Sequence, residues 1–126
     1  MSRRVLIVDA DGEVQARCRQ ILTAEGFQVV GVATGKQGLA ALERERFDLV
    51  VVDYHMRDMH GGVFVRTVVG RCPQLHQVLL TAPGERMVSM VGVPVLHKPV
   101  GCEALVRVLE RHCGHRRRDS ATAASA

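Results

Sequence analysis

Leu49-Val50-Val51-Val52-Asp53 is the stretch on which the fold turns. Four large apolar residues stand in a row, three of them β-branched, and the run stops on a carboxylate. A strand with one wet face would alternate apolar and polar residues. A continuous run indicates a strand covered on both faces, as in a parallel sheet lying between helices. Val5-Leu6-Ile7-Val8 repeats the pattern and stops on Asp9.

The intervening residues supply the helices. Val14, Cys18, Ile21 and Leu22 make one apolar face of a helix over Gly12–Glu25, which Gly26 stops. Phe27–Val32 reads as the next strand, with Gln28 and Gly31 suiting an edge. Thr34-Gly35-Lys36-Gln37 has the form of a capping box, and Leu39, Leu42 and Arg46 continue that second helix. After Asp53, Tyr54–Gly62 reads as a loop and Val63–Val69 as a short third helix closed by Gly70 and Pro73. Val78–Leu80 is a fourth strand ending at Thr81. Glu85–Val91 has room for about two helical turns. Val93–Leu96 is a fifth strand before Lys98, and Pro94 inside it requires an edge position. Cys102, Leu105, Val106, Leu109 and Cys113 form the stripe of a last helix. Strict strand–helix alternation predicts an α/β domain over residues 3–113, with a five-stranded parallel sheet of order 2-1-3-4-5 and helices on both faces. Residues 114–126, basic and then Ala/Ser-rich, have no large apolar residue and are expected to form a disordered tail.

Composition narrows the function classes. With 126 residues, 47% hydrophobic and 24% charged, the chain can bury one core, and wholesale disorder is excluded. No apolar run reaches the ~18 residues of a membrane span. Met-Ser-Arg-Arg leads into too short an apolar run for a signal peptide, so a cytoplasmic protein is expected. The net charge of +4 is concentrated after residue 110, where Arg111, Arg116, Arg117 and Arg118 face only Asp119. With 3% aromatic residues there is no base-stacking platform, so no direct nucleic-acid contact by this domain is expected. Cys18, Cys72, Cys102 and Cys113 read as buried reduced thiols, since no C-x-x-C occurs. His112-Cys113-Gly114-His115 lacks the second pair that a zinc site needs.

The topology itself predicts where chemistry occurs. In an open sheet of this order, ligands bind at the carboxyl ends of the first and third strands. Asp9, Asp53, Thr81 and Lys98 end the first, third, fourth and fifth strands and would meet there. Paired carboxylates attract a hard cation such as Mg²⁺. An ammonium and a hydroxyl can hold phosphoryl oxygens, and a central carboxylate can act as a nucleophile and form an acyl phosphate.

Val-Leu-Ile-Val-Asp-Ala-Asp (5–11), Phe-Asp-Leu-Val-Val-Val-Asp-Tyr-His-Met (47–56), Met59-His60-Gly61-Gly62, Val-Leu-Leu-Thr-Ala (78–82) and Lys98-Pro99 together resemble the receiver domain of bacterial two-component response regulators. The resemblance implies a flavodoxin-like three-layer sandwich and a regulatory phosphoprotein rather than an enzyme, capable at most of self-phosphorylation and self-dephosphorylation. It implies that Asp53 accepts a phosphoryl group from a histidine kinase or phosphotransferase. Asp9, Asp53 and the backbone carbonyl of His55 would hold Mg²⁺, and Thr81 and Lys98 would contact the phosphoryl group. A cis Lys98-Pro99 bond is implied too. The expected partners are that kinase and a downstream protein or tethered output domain, with a homodimer through the last helix as a further option.

The departures from the family pattern carry information as well. Ala10 stands where the family has a second acidic metal ligand, so Mg²⁺ binding should be weakened. Asp11, one residue on, is a substitute ligand if the loop bends, and otherwise the N-cap of the Gly12–Glu25 helix. Arg57 replaces a common proline. Val95 replaces the aromatic residue three positions before the lysine, and a stiff valine cannot swing inward. The segment between Thr81 and Lys98 leaves space only for a shortened fourth helix. These departures motivate an alternative, a degenerate receiver acting as a phosphorylation-independent docking or dimerisation module. A flavin- or nucleotide-binding enzyme is disfavoured, because no Gly-rich phosphate loop follows the first strand.

Overall fold

The computed structural model describes residues 3–83 and 92–112. Within them the chain runs β1 (Arg4–Val8), α1 (Gly12–Ala24), β2 (Gln28–Val32), α2 (Gly35–Arg44), β3 (Leu49–Asp53), α3 (Gly61–Arg71), β4 (His76–Thr81), β5 (Val95–His97) and α4 (Cys102–His112). The strands form one parallel sheet in the order β2-β1-β3-β4-β5, as the alternation requires. The expected short helix over Glu85–Val91, Cys113 and the tail 114–126 lie outside the described residues.

The apolar runs behave as strands covered on both faces. Val5, Ile7, Leu49, Val51, Val78 and Leu80 point into one layer, where α1 and α4 contribute Cys18, Ile21, Leu22, Leu105, Val106 and Leu109. Their sequence neighbours Leu6, Val8, Val50, Val52 and Leu79 point into the other, where α2 and α3 contribute Ala41, Phe64, Val65 and Val68. The period-2 alternation of a strand thus distributes one continuous run between two cores. Burying each such side chain stabilises the fold by about 1.5–3 kcal/mol.

Helix ends follow local rules. Thr34 and Gln37 form the reciprocal capping box, with Gln37 N–H donating to Thr34 Oγ1 at 3.1 Å and Thr34 N–H donating to Gln37 Oε1 at 3.2 Å. Gly26 follows α1 with φ +93°, a conformation that glycine adopts without strain. Elsewhere the boundaries shift. Helix α3 begins at Gly61, two residues before the reading from sequence, because His60 Nδ1 accepts the Gly62 N–H and caps it. Helix α2 ends at Arg44, so Arg46 lies beyond it. The fifth strand is Val95–His97 and not Val93–Leu96, although Leu79 N–H still donates to the Pro94 carbonyl.

The expectation of a buried Cys102 is corrected. Its spacing puts it on the α4 stripe, but the core does not reach the first turn, and Gly101, Cys102 and Glu103 are all exposed. Cys72 is only partly covered, whereas Cys18 is buried and its thiol is pushed up to about 11, by burial first and the Asp9 charge second. Gly70 is exposed in α3, and a Cβ there would meet nothing within 4 Å, so it gives a direct test of helix propensity. Gly70→Ala is expected to raise unfolding stability by about 0.5 kcal/mol in urea titration. No helix among the described residues is long and apolar enough to cross a membrane.

Candidate functional site

Asp9 follows β1 and is almost wholly buried. Its main chain is fixed twice, by its N–H donating to the Val32 carbonyl and by Gln15 Nε2 donating to its own carbonyl at 2.8 Å. Asp9 Oδ1 accepts the Asp11 N–H at 2.9 Å. Asp53 ends β3, and its Oδ1 accepts the His55 N–H at 3.2 Å. Lys98 follows β5, and its main-chain N–H donates to the Thr81 carbonyl at 2.7 Å. The bond from Lys98 to Pro99 is cis.

These strand ends deliver three charges to one point. Lys98 Nζ lies 2.9 Å from Asp9 Oδ2 and 3.3 Å from Asp53 Oδ1. The Lys98 contact with Asp9 Oδ2 is an ion pair without hydrogen-bond direction, and among the described residues Oδ2 accepts no hydrogen bond. The Asp53 side chain keeps 13% of its surface exposed against 2% for Asp9, so Asp53 is the carboxylate that solvent and solutes reach. Burial and then the neighbouring Asp9 charge raise the Asp53 pKa, and Lys98 offsets this only in part. Burial alone would lower the Lys98 pKa. The close contact and charge of Asp9, followed by Asp53, outweigh it, and the ammonium is held above its ordinary value. A cleft of about 300 Å³, lined by Asp11, Glu13, Arg17, Pro83 and Lys98, opens beside this cluster.

The remaining expected residues are placed as follows. Thr81 is fully buried, and its hydroxyl shares a hydrogen bond with His97 Nδ1 at 2.9 Å. Asp11 is exposed and caps α1, with Oδ1 accepting the Glu13 N–H. Arg57 is an exposed loop residue. Val95 is half-buried against the layer formed by α2 and α3. A larger concavity of about 980 Å³ lies at the opposite end of the sheet, around Phe47, Leu75 and His76, and takes no part in this cluster.

Three positioning residues escaped the reading from sequence. Gln15 joins the ends of β1 and β2, donating to the carbonyls of both Asp9 and Val32. Its signal was Gly31, since a Cβ there would fall 2.3 Å from Gln15 Oε1. Asp58 accepts the N–H groups of Gly35 and Lys36 at 3.0 and 2.9 Å, fastening the β3–α3 loop to the start of α2. What burial it has raises its pKa, but those two N–H groups prevail and hold it low. Such a cap, supplied from 22 residues away, leaves no local pattern. His97 is the third.

A hard divalent cation fits this donor set weakly. Two carboxylates converge, and one of their oxygens is buried without a directed hydrogen bond. Among the described residues, however, no three His, Cys, Asp or Glu side chains come together as metal ligands.

Residues 5–110 match the response regulator receiver domain family. The transcriptional regulatory protein GlrR of Escherichia coli (strain K12) is 32% identical over 111 residues, covering 84% of this chain and 25% of that protein. The response regulator protein FleR of Pseudomonas aeruginosa is 31% identical over 117 residues, covering 89% and 25%. The chain thus spans about a quarter of the length of these relatives. Among solved structures, a CheY-like response regulator receiver domain from Methanospirillum hungatei JF-1 superposes with a TM-score of 0.80 at 27% identity, covering 90% of this chain and 95% of that one. A signal receiver domain of an HD domain-containing protein from Pseudomonas fluorescens Pf-5 shares the fold, with a TM-score of 0.82 at 21% identity, covering 91% and 97%. The chain is thus an open α/β domain with an acid cluster at the carboxyl end of its five-stranded parallel sheet. The chain belongs to the receiver domain family of two-component response regulators. A receiver is a regulatory rather than a catalytic domain, and receivers generally bind Mg²⁺ at their acidic phosphorylation site.

Proposed function

We propose that the chain is a phosphoacceptor receiver in which Asp53 takes a phosphoryl group from a histidine kinase or phosphotransferase and thereby changes partner binding. The observation that carries this reading is the Asp53 carboxylate itself. It reaches solvent at the carboxyl end of the sheet and stands 3.3 Å from an ammonium that can follow the charge onto a phosphoryl oxygen. In the transfer, Asp53 attacks phosphorus and the P–N bond to the donor imidazole breaks. An acyl phosphate forms, and the leaving nitrogen regains a proton from solvent. Hydrolysis returns the carboxylate when water attacks phosphorus and the P–O bond to Asp53 breaks. A bound Mg²⁺ would neutralise phosphoryl oxygen charge. Asp9, Asp53 and the His55 carbonyl would be its ligands in this reading, with Asp11 a further candidate. Thr81 and Lys98 hold the phosphoryl oxygens.

Acetyl phosphate with Mg²⁺, followed by intact-mass measurement, tests the assignment. Wild type should gain one phosphoryl group and Asp53→Asn none. Restoring the missing acid should also tighten metal binding. Ala10→Asp is expected to raise Mg²⁺ affinity about tenfold, equivalent to ~1.4 kcal/mol, read from the fluorescence of Tyr54 beside Asp53.

The second reading, a degenerate receiver used for docking, is favoured by Lys98 already balancing both carboxylates and by the missing acid at Ala10. No mass gain at millimolar Mg²⁺ would put it ahead. Under either reading the domain 3–113 is expected to act in the cytoplasm on a downstream protein or a tethered output domain. The length of the relatives supports the tethered form, with residues 114–126 suited by composition to a linker.

A further inference from the structure

The Thr81–His97 hydrogen bond has a direction that bears on switching. Thr81 and His97 are register partners across β4 and β5. Strand β4 lies between β5 and β3, and β3 carries Asp53. The buried hydroxyl is therefore bonded toward the sheet edge, away from the acid cluster. A hydroxyl has one proton to donate. If His97 Nδ1 accepts it, Thr81 cannot donate to a phosphoryl oxygen on Asp53 until it leaves the imidazole. Val95, two residues earlier in β5, is too small and too stiff to move into space that Thr81 vacates. His97 differs in two respects. It touches the hydroxyl directly, and it is exposed as a residue, so water can solvate the released ring with little penalty.

We propose that His97 is the resting-state partner of Thr81, and that release of its imidazole reports phosphorylation at the β5 edge. This rests on Asp53 being the phosphoacceptor. The competition runs in the required direction. A charged phosphoryl oxygen is a stronger acceptor than an imidazole nitrogen, so the exchange favours the phosphorylated arrangement. A ligand shifts such an equilibrium only by its differential affinity for the two states. Removing the resting partner leaves a buried hydroxyl unsatisfied in the resting state alone, and less phosphoryl is then needed to capture it.

The test uses the full chain with ¹⁵N-labelled histidine rings, Mg²⁺ and beryllofluoride, an anion that mimics a carboxyl-bound phosphoryl group. On saturation, the His97 Nδ1 resonance should move to a water-exposed position. His97→Leu, which cannot bond the hydroxyl, should lower the half-saturating beryllofluoride concentration about tenfold. His97→Asn, which sets an amide oxygen near the Nδ1 position, should stay within about threefold of wild type. Saturation of wild type with an unmoved Nδ1 signal would overturn the proposal, even if the leucine variant failed to fold. So would equal half-saturation for wild type and His97→Leu. Failure of wild type to bind beryllofluoride at all is a separate result. It would remove the phosphoacceptor reading and this proposal with it.

Discussion

Replacing Lys98 with methionine is expected to destabilise the fold by about 3 kcal/mol at pH 7. The ammonium is the cation that holds Asp9 and Asp53 together, at 2.9 and 3.3 Å. Methionine keeps much of the stem's volume but leaves two carboxylates facing each other, one of them almost wholly buried. Breaking a buried ion pair from one side is costly because the remaining charge has no compensation. Such losses run to roughly 3–5 kcal/mol, and the low end applies because Lys98 keeps 19% of its side chain exposed and water screens the cluster. The pH dependence has a definite sign. The Asp53 pKa is raised in the fold, so its protonation favours the native state, and the Lys98→Met deficit should shrink as pH falls through the native Asp53 pKa. The wild type shows the alkaline counterpart. The Lys98 pKa is raised above 10.5, so its contribution is complete below that value and is lost as pH rises through the native pKa. Urea titrations at several pH values check both limbs. Adding Asp53→Asn to Lys98→Met should recover at least half of the loss, because it removes the repulsion that the lysine had balanced. A Lys98→Met variant within about 0.5 kcal/mol of wild type at pH 7 would show that the cluster is too well solvated to matter.

The parts that were legible in the sequence are those set by short-range pattern. Val5–Val8 and Leu49–Val52 lack both helical and alternating periodicity, and burial on both faces is what permits that. Once the strands are fixed, chain geometry places Asp9, Asp53 and Lys98 at one end of the sheet, and the ion cluster follows from where each run stops. Thr34 and Gln37 are three residues apart, so their box is written locally. Asp58 is invisible to that method, because the N–H groups it accepts belong to a helix 22 residues earlier. His97 is hidden in the same way, since its partner Thr81 becomes a neighbour only through β4–β5 pairing. Cys102 shows the converse limit. Periodicity gives the direction of a side chain on its helix but not whether the core extends beneath it. The reading that began α3 at Val63 treated Gly61-Gly62 as loop punctuation, when those glycines are the helix's first turn. The first of them, Gly61, marks a close approach of backbone to backbone.

That approach sets the second large effect. A Cβ at Gly61 would lie 2.6 Å from Tyr54 Cα, 2.8 Å from the Tyr54 carbonyl oxygen and 2.9 Å from the Asp53 carbonyl oxygen. All three are main-chain atoms of the segment carrying the proposed acceptor, and that segment is itself tied to β4 by Tyr54 N–H donating to the Leu80 carbonyl at 2.8 Å. Nothing there can rotate aside. Gly61→Ala is therefore expected to cost about 3 kcal/mol despite the better helix propensity of alanine. Gly35 and Gly38 provide the scale. The obstacle at Gly35 is the flexible end of Met59, and at Gly38 it is the side chains of Val8 and Phe64, so alanine at either position should cost less, with Gly35→Ala the mildest. The functional consequence separates Gly61 from an ordinary packing defect. Relieving the clash means moving the Asp53–Tyr54 peptide, and with it the carboxylate that Lys98 reaches. Gly61→Ala should then slow phosphoryl uptake from acetyl phosphate even at temperatures where the variant is fully folded, whereas Gly38→Ala, at matched stability, should not. Equal uptake rates for the two folded variants would mean that the loop absorbs the methyl group without transmitting it to Asp53.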